Sequence, residues 1–73
     1  MIDIKTRLKE LREKKGYTQL KVGMDLNLTQ NSVSRYETGE REAGYLTLIA
    51  FADYYGVSVD YILCRTDNPA VNR

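Results

Sequence analysis

The stretch Thr18 to Gly39, TQLKVGMDLNLTQNSVSRYETG, contains the dipeptide Thr-Gln twice, at 18–19 and at 29–30. A threonine hydroxyl caps a helix well, because it accepts a hydrogen bond from an otherwise unpaired N–H of the first turn. Asn27 tolerates a left-handed backbone better than most residues and can end the first helix, while Gly39 can end the second. The stretch therefore predicts two short helices separated by a tight turn.

The flanking sequence predicts three further helices. Leu8 and Leu11 continue a helical spacing that begins at Ile4, and Gly16 ends this first helix. After the polar segment ETGEREAG, the run TLIAFADYY predicts a fourth helix, and VDYILC predicts a short fifth helix capped by Ser58. The residues expected to face the core are Val22, Leu26, Val33, Tyr36, Leu48, Phe51, Ala52, Tyr55, Val59, Ile62 and Leu63. No alternating β-branched run competes, so the predicted fold is all-α, a compact bundle of five short helices.

Length and composition limit the class of protein. The chain has 73 residues, 42% of them hydrophobic, which is enough for one small core. No apolar run approaches the roughly 18 residues of a membrane span, and the charged N-terminal segment does not resemble a signal peptide. We therefore expect a soluble cytoplasmic protein that does not associate with membranes. Residues 1–41 carry nine Lys or Arg against six Asp or Glu, whereas residues 42–73 carry two against four.

The chemistry of the side chains argues against an enzyme. The chain has no histidine, and Cys64 is its single cysteine. Most metal sites and the Cys–His and Ser–His nucleophile pairs are thereby removed. We expect no catalytic residue, no metal, no other cofactor and no small-molecule ligand, with Cys64 as a small packing residue.

Two short helices joined by a tight turn form a helix-turn-helix, which places its second helix in the major groove of DNA. Amide and guanidinium side chains match the base edges there, Gln or Asn to adenine and Arg to guanine. Gln30 begins the second of these helices and is therefore expected to read a base. Gln19 begins the first, and it is expected to contact phosphate, which a helix N-terminus also favours.

Three segments, LKELREKKGYTQLKVGMDLN, TQNSVSRYETG and LTLIAFADYYGVSVDYIL, resemble the phage Cro and repressor type of helix-turn-helix domain, the lambda-repressor-like fold. The likeness covers residues 4–64, with the helix-turn-helix proper at 18–37. It implies a sequence-specific DNA-binding transcriptional regulator, usually a repressor, that binds a palindromic operator as a homodimer. The resemblance also implies a bacterial or phage protein associated with the nucleoid. Residues 65–73 lie outside the likeness and are expected to form a flexible tail.

The resemblance and the helix faces together assign the site residues. Base readout is expected from Gln30, Asn31 and Arg35. Phosphate contacts are expected from Gln19, Thr29, Ser32, Ser34 and Arg41. The family often pairs an Arg of the first helix with a Glu at the end of the recognition helix, and these positions are Arg12 and Glu37. A dimer contact is expected at Tyr45, Val59 and Tyr61, because exposed aromatic residues are enriched at interfaces.

The chain also departs from the family pattern. Glu40 and Glu42 lie in the loop after the third helix, where similar proteins tend to carry basic residues. Gly23 replaces a usual alanine, which allows a closer approach of the second and third helices. Leu20 and Met24 stand at positions that are commonly polar and form a small apolar stripe with no assigned role.

Two alternative functions stay open from the sequence. In one, the same fold serves an antitoxin or a restriction-modification controller, which binds DNA and also a partner protein. In the other, the domain is a protein-interaction module that has lost DNA binding, an alternative that the acidic loop and the low net charge of +1 keep open.

Overall fold

The structure, a computed structural model, describes residues 6–70. Five helices follow one another: α1 (Leu8–Lys15), α2 (Gln19–Leu26), α3 (Gln30–Thr38), α4 (Tyr45–Tyr55) and α5 (Val59–Ile62). Residues 6–70 contain no β-strand. The all-α fold predicted from the sequence is thereby confirmed.

Three hydroxyl caps set the starts of α2, α3 and α5. Thr18, Thr29 and Ser58 each accept a hydrogen bond of 3.0 Å from the backbone N–H three residues further along. The two caps inferred from the repeated Thr-Gln therefore have the expected local geometry.

The turn between α2 and α3 is tight. Asn27 takes the predicted left-handed conformation, with φ 59°, and the N–H of Leu28 donates to the carbonyl oxygen of Gly23 at 2.7 Å. Gly39 ends α3 with φ 83°. This turn places the start of α3 directly against the second half of α2, and α2 and α3 form the most extensive helix–helix contact of the fold.

The hydrophobic core lies where the five helices pack against one another. α4 packs against α5, and α1 lies across α3 and α4. The side chains buried in this core are Leu8, Leu11, Val22, Val33, Phe51, Ala52, Tyr55, Val57 and Ile62. Five residues predicted to face the core are only half-buried, namely Leu26, Tyr36, Leu48, Val59 and Leu63. Leu26, Tyr36, Leu48 and Val59 pack against the edge of the core rather than in its centre.

Helix boundaries differ from the sequence-based expectation at three places. α4 begins at Tyr45, two residues early, because Gly44 has an extended cap conformation and its carbonyl oxygen accepts from Leu48 N at 2.9 Å. α5 ends at Ile62, because Cys64 turns to φ 60° and Arg65 N bonds back to the carbonyl oxygen of Asp60. The packing role expected of Cys64 is wrong, since this residue is exposed. α1 begins at Leu8, since Thr6 and Arg7 are not helical, and the start predicted at Ile4 lies outside the described residues.

The two ends of the described chain lie side by side. One guanidinium nitrogen of Arg7 donates to the carbonyl oxygens of Tyr61 and Thr66, both at 2.7 Å, and the other contacts the Asp67 carboxylate at 2.8 Å. Ser58 N also donates to the carbonyl oxygen of Pro69. The flexibility expected of residues 65–73 stays a prediction, while Thr66, Asp67 and Pro69 are hydrogen bonded to the body of the fold.

Candidate nucleic-acid interface

The exposed surface of α3 carries the three residues expected to read bases. Successive side chains on a helix are about 100° apart, so Val33 and Glu37, which face the interior, fix the opposite side of the helix as outward. Asn31 and Arg35 lie on that outward side, whereas Gln30 lies about 140° around the helix from Arg35, at the first residue of α3. All three residues are exposed. The structure therefore brings Asn31 and Arg35 onto one accessible face of α3 and exposes Gln30 at the N-terminal end of the same helix.

Three residues expected to contact phosphate lie together along another edge of α3. The Thr29 hydroxyl donates to Ser32 Oγ at 3.0 Å, and one Nη of Arg41 donates to the same Ser32 oxygen at 3.3 Å. The Arg41 guanidinium also lies 5.9 Å from the ring centroid of Tyr36. These contacts hold a positive charge near the N-terminus of α3, where unpaired N–H groups already favour an anion.

Acidic residues flank this charge. Glu40 and Glu42 are exposed on either side of Arg41 in the chain, so the loop carries a net negative charge beside its one arginine. Ser34 is half-buried and lies on the opposite edge of α3 from Ser32, by the same helical spacing. It is therefore separated from the Thr29, Ser32 and Arg41 group.

Arg12 and Glu37 form a two-bond ion pair between α1 and the end of α3. Arg12 Nε donates to Glu37 Oε2 at 2.7 Å and Nη2 donates to Oε1 at 3.2 Å. The side chains are only 13% and 3% exposed. The hydrogen bond to Glu37 raises the pKa of Arg12 above its ordinary value, against a smaller opposing effect of burial. This planar, charge-assisted geometry fixes both side chains.

A third partner joins this pair. Gln19 Nε2 donates to Glu37 Oε1 at 3.1 Å, and Arg12 Nη1 donates to the carbonyl oxygen of Tyr17 at 2.9 Å. The residues just before and just after the Thr18 cap are thus attached to the same ion pair. The sequence predicted only a phosphate contact for Gln19. The bond from Gln19 to Glu37 joins positions that are 18 residues apart, so no local pattern indicates it.

A second polar cluster joins α2 to α4 and was not foreseen from the sequence. Tyr54 donates its hydroxyl to Asp25 Oδ2 at 2.5 Å, and Lys21 Nζ lies 2.9 Å from the same oxygen. These two hydrogen bonds, that of Tyr54 foremost, lower the pKa of Asp25. Desolvation and the bond to Asp25 raise the pKa of Tyr54. Only the i, i+4 spacing of Lys21 and Asp25 gave a signal in the sequence.

The expected dimer residues differ in exposure and surroundings. Tyr45 is 74% exposed and is continued on α4 by the exposed Leu46 and Ile49. Tyr61 is half-buried, with the Arg7 guanidinium 4.2 Å from its ring centroid. Val59 is also half-buried and lines a groove with Ile49.

Other features of the described chain bear on the site only indirectly. Leu20 and Met24 are exposed on α2. Among residues 6–70, no group of three or more Cys, Asp and Glu side chains converges as metal ligands would. None of the helices described here combines the length and the apolar character that crossing a bilayer requires.

Comparison with known proteins decides the family. A helix-turn-helix family model of the Cro/C1 type matches residues 8–62. The chain belongs to this helix-turn-helix family. Membership confirms the predicted resemblance and supports the predicted class of DNA-binding transcriptional regulator.

The curated relatives carry matching names. The chain is 44% identical over 61 residues to the HTH-type transcriptional regulator ImmR of Bacillus subtilis (strain 168), covering 84% of this chain and 48% of ImmR. It is 37% identical over 60 residues to the SPbeta prophage-derived HTH-type transcriptional regulator YonR of the same strain, covering 82% of this chain and 56% of YonR. A third relative from that strain, the HTH-type transcriptional regulator YqaE, is 38% identical over 64 residues, or 88% of this chain and 55% of YqaE.

The helix-turn-helix chain spans about half the length of the curated relatives that it matches. No solved structure matches it.

Proposed function

We propose that the chain is a sequence-specific DNA-binding transcriptional regulator, a repressor, that inserts α3 into the major groove. The observation that carries this proposal is the outer face of α3. Within residues 6–70, the side chains of Gln30, Asn31 and Arg35 make no hydrogen bond to the protein, while the end of the same helix is fixed by Glu37. A rigid helix with free amide and guanidinium groups suits direct readout of base edges.

The proposed DNA-binding unit covers residues 4–64, with the helix-turn-helix proper at 18–37, and acts in the cytoplasm. Its phosphate contacts come from both edges of the reading face. Thr29, Ser32 and Arg41 form one group, supported by their mutual hydrogen bonds. Gln19 at the start of α2 supplies the contact on the other flank. Ser34, one turn before Glu37 on α3, is proposed to contact phosphate on that flank too. Such contacts fix the protein on the backbone and leave sequence discrimination to the outer face of α3.

We further propose that the protein binds a palindromic operator as a homodimer through the exposed apolar face of α4. Tyr45, Leu46 and Ile49 form this face, and Val59 adjoins it through the groove beside Ile49. Tyr61 contributes from the rim only, because Arg7 covers its ring. A two-fold contact there would set two copies of α3 about 34 Å apart, one turn of DNA.

Selection of bound sequences from a random DNA pool tests the proposed function. The expected result is one enriched sequence made of two inverted half-sites. A chain that served only as a protein-interaction module would enrich no sequence, even at low salt, and would refute the proposal. A protein that bound an isolated half-site as tightly as the palindrome would refute the dimeric mode.

Three alanine variants then test the roles of individual side chains on the selected site. Gln30→Ala and Arg35→Ala should each cost about 1–3 kcal/mol on the preferred site and much less on a site altered at the contacted base pair. Gln19→Ala serves as the matched control, because a phosphate contact should weaken binding by a similar factor on every site. Equal losses on all sites for Gln30→Ala would contradict base readout by α3.

A further inference from the structure

The Glu37 carboxylate is a junction of three helices rather than one half of a pair. It accepts two hydrogen bonds from Arg12 of α1 and one from Gln19 of α2, while belonging itself to α3. Its side chain is 3% exposed. An ionised carboxylate has no hydrogen to donate, so the Gln19 group that faces it is the amide nitrogen, and the orientation of this amide is fixed by chemistry.

The amide of Gln19 keeps a second N–H after this bond is made. The backbone N–H groups of Gln19 and Leu20, at the start of α2, have no partner within the helix, whereas that of Lys21 donates to the Thr18 hydroxyl. Together they form a small set of donors suited to one phosphate oxygen. Arg12 cancels the charge of Glu37, so the carboxylate orients the amide without repelling a nearby anion.

We propose that Glu37 is a positioning residue for the phosphate contact of Gln19, which couples the hold on the DNA backbone to the placement of α3. The inference rests on the proposed DNA-binding function. Gln19 binds phosphate effectively only while Glu37 holds its amide, since an amide that must be ordered on binding loses side-chain entropy at that moment. Because Glu37 lies in the last turn of α3, the same carboxylate keeps the phosphate contact and the reading face in register.

A double-mutant cycle on DNA affinity tests this coupling. The parent, Gln19→Ala, Glu37→Gln and the double variant are titrated with the sequence selected from the random pool. Gln19→Ala should lower the affinity of the parent about tenfold, the scale of one hydrogen bond to a charged group. In the Glu37→Gln background the same change should cost less than about twofold, because the contact is already lost.

A second measurement uses the free protein, first as the parent and then as Glu37→Gln. Nitrogen-15 relaxation of side-chain amides should show the Gln19 amide to be ordered and the exposed Gln30 amide, its matched control, to be mobile. In Glu37→Gln, the Gln19 amide should become as mobile as that of Gln30, while the backbone amides of α2 stay ordered. This readout would not change if Glu37 acted only on global stability, and the parent spectrum decides the matter even where Glu37→Gln fails to fold.

The outcomes separate the two proposals. A parent that binds no DNA sequence preferentially refutes the proposed function. A parent that binds specifically, but loses the same factor from Gln19→Ala in both backgrounds, refutes the coupling alone. A Gln19 amide as mobile as that of Gln30 in the parent also refutes the coupling, whatever the DNA result.

Discussion

The carbonyl oxygen of Leu28 lies 2.7 Å from the point that a β-carbon on Gly23 would occupy. No real β-carbon approaches a backbone oxygen so closely, and the turn between α2 and α3 therefore depends on the missing side chain. The glycine that departs from the family pattern thus has a packing reason, one that offsets its roughly 1 kcal/mol of lower helix propensity relative to alanine.

Gly23→Ala should destabilise the fold by about 1–3 kcal/mol, because the backbone of the turn must move to admit the methyl group. The free energy of urea unfolding measures the effect. Gly44→Ala is the matched control, since nothing lies within 4 Å of the added atom, and it should cost under about 1 kcal/mol as a change of helix cap. If Gly23→Ala left the free energy of unfolding unchanged, the turn between α2 and α3 would admit a methyl group without cost, and the argument from close packing would be wrong.

Glu37→Ala should destabilise the protein by about 3–5 kcal/mol, because it leaves the guanidinium of Arg12 largely buried without a counter-charge. Glu13→Ala removes the exposed pair with Lys9, whose charged atoms are 3.9 Å apart, and should change stability by no more than about 0.5 kcal/mol. Thermal and denaturant melting of both variants gives the comparison. Equal melting of parent and Glu37→Ala would show that the pair contributes nothing.

Removing the Tyr54 hydroxyl should lower stability in a pH-dependent way. Asp25 has a pKa below its ordinary 3.8 in the folded protein, so its contribution is present above that pH and is lost as the pH falls through the folded value. Tyr54 has a pKa above its ordinary 10.0, so its contribution is present below pH 10.0 and is lost as the pH rises towards the folded value.

Tyr54→Phe should therefore be less stable than the parent by a constant amount at neutral pH, and the difference should shrink in acid. Unfolding free energies measured from neutral pH to below the ordinary pKa of aspartate test this expectation. Tyr45→Phe, which alters an exposed ring on the same helix, should show no such dependence. A difference that stayed constant into acid would assign the effect to packing of the ring rather than to the bond with Asp25.

Arg41→Ala should weaken DNA binding on every sequence and reduce the slope of log affinity against log salt concentration by about 1, the value for one phosphate contact. Arg65→Ala removes an equal charge from an exposed residue beside Asp60 and should leave the slope unchanged. Titrations of the selected site at several salt concentrations decide between them. Parallel salt slopes for Arg41→Ala and the parent would place Arg41 away from the DNA backbone.

Local chemistry explains which parts of the fold could be predicted. The starts of α2 and α3 depend on Thr18 and Thr29 and on neighbours within three residues, so the sequence alone was sufficient. The early start of α4 escaped prediction because Gly44 acts as a cap through its backbone conformation, without a side-chain hydrogen bond. A glycine can cap the start of a helix, but it also commonly follows a helix end, so Gly44 alone does not predict a helix start.

The polar contacts between helices could not be predicted from local sequence. The pairing of Arg12 with Glu37 was expected only through the family resemblance, because 25 residues separate them. The bonds from Gln19 to Glu37 and from Tyr54 to Asp25 also join distant positions, and no spacing rule connects these residues. Their existence depends on how the helices cross, which is a property of the whole core.

The hydrogen bonds from Arg7 to the segment 61–67 have a consequence for circular permutation of the chain. Because the two ends of the described fold are held together at hydrogen-bonding distance, a short linker from residue 70 to residue 6 would join them with little strain. New termini could then be opened at Glu40, which is exposed in the loop after α3. Such a circular permutant would retain the five helices of residues 6–70 while reversing the order in which the reading half and the α4–α5 half leave the ribosome.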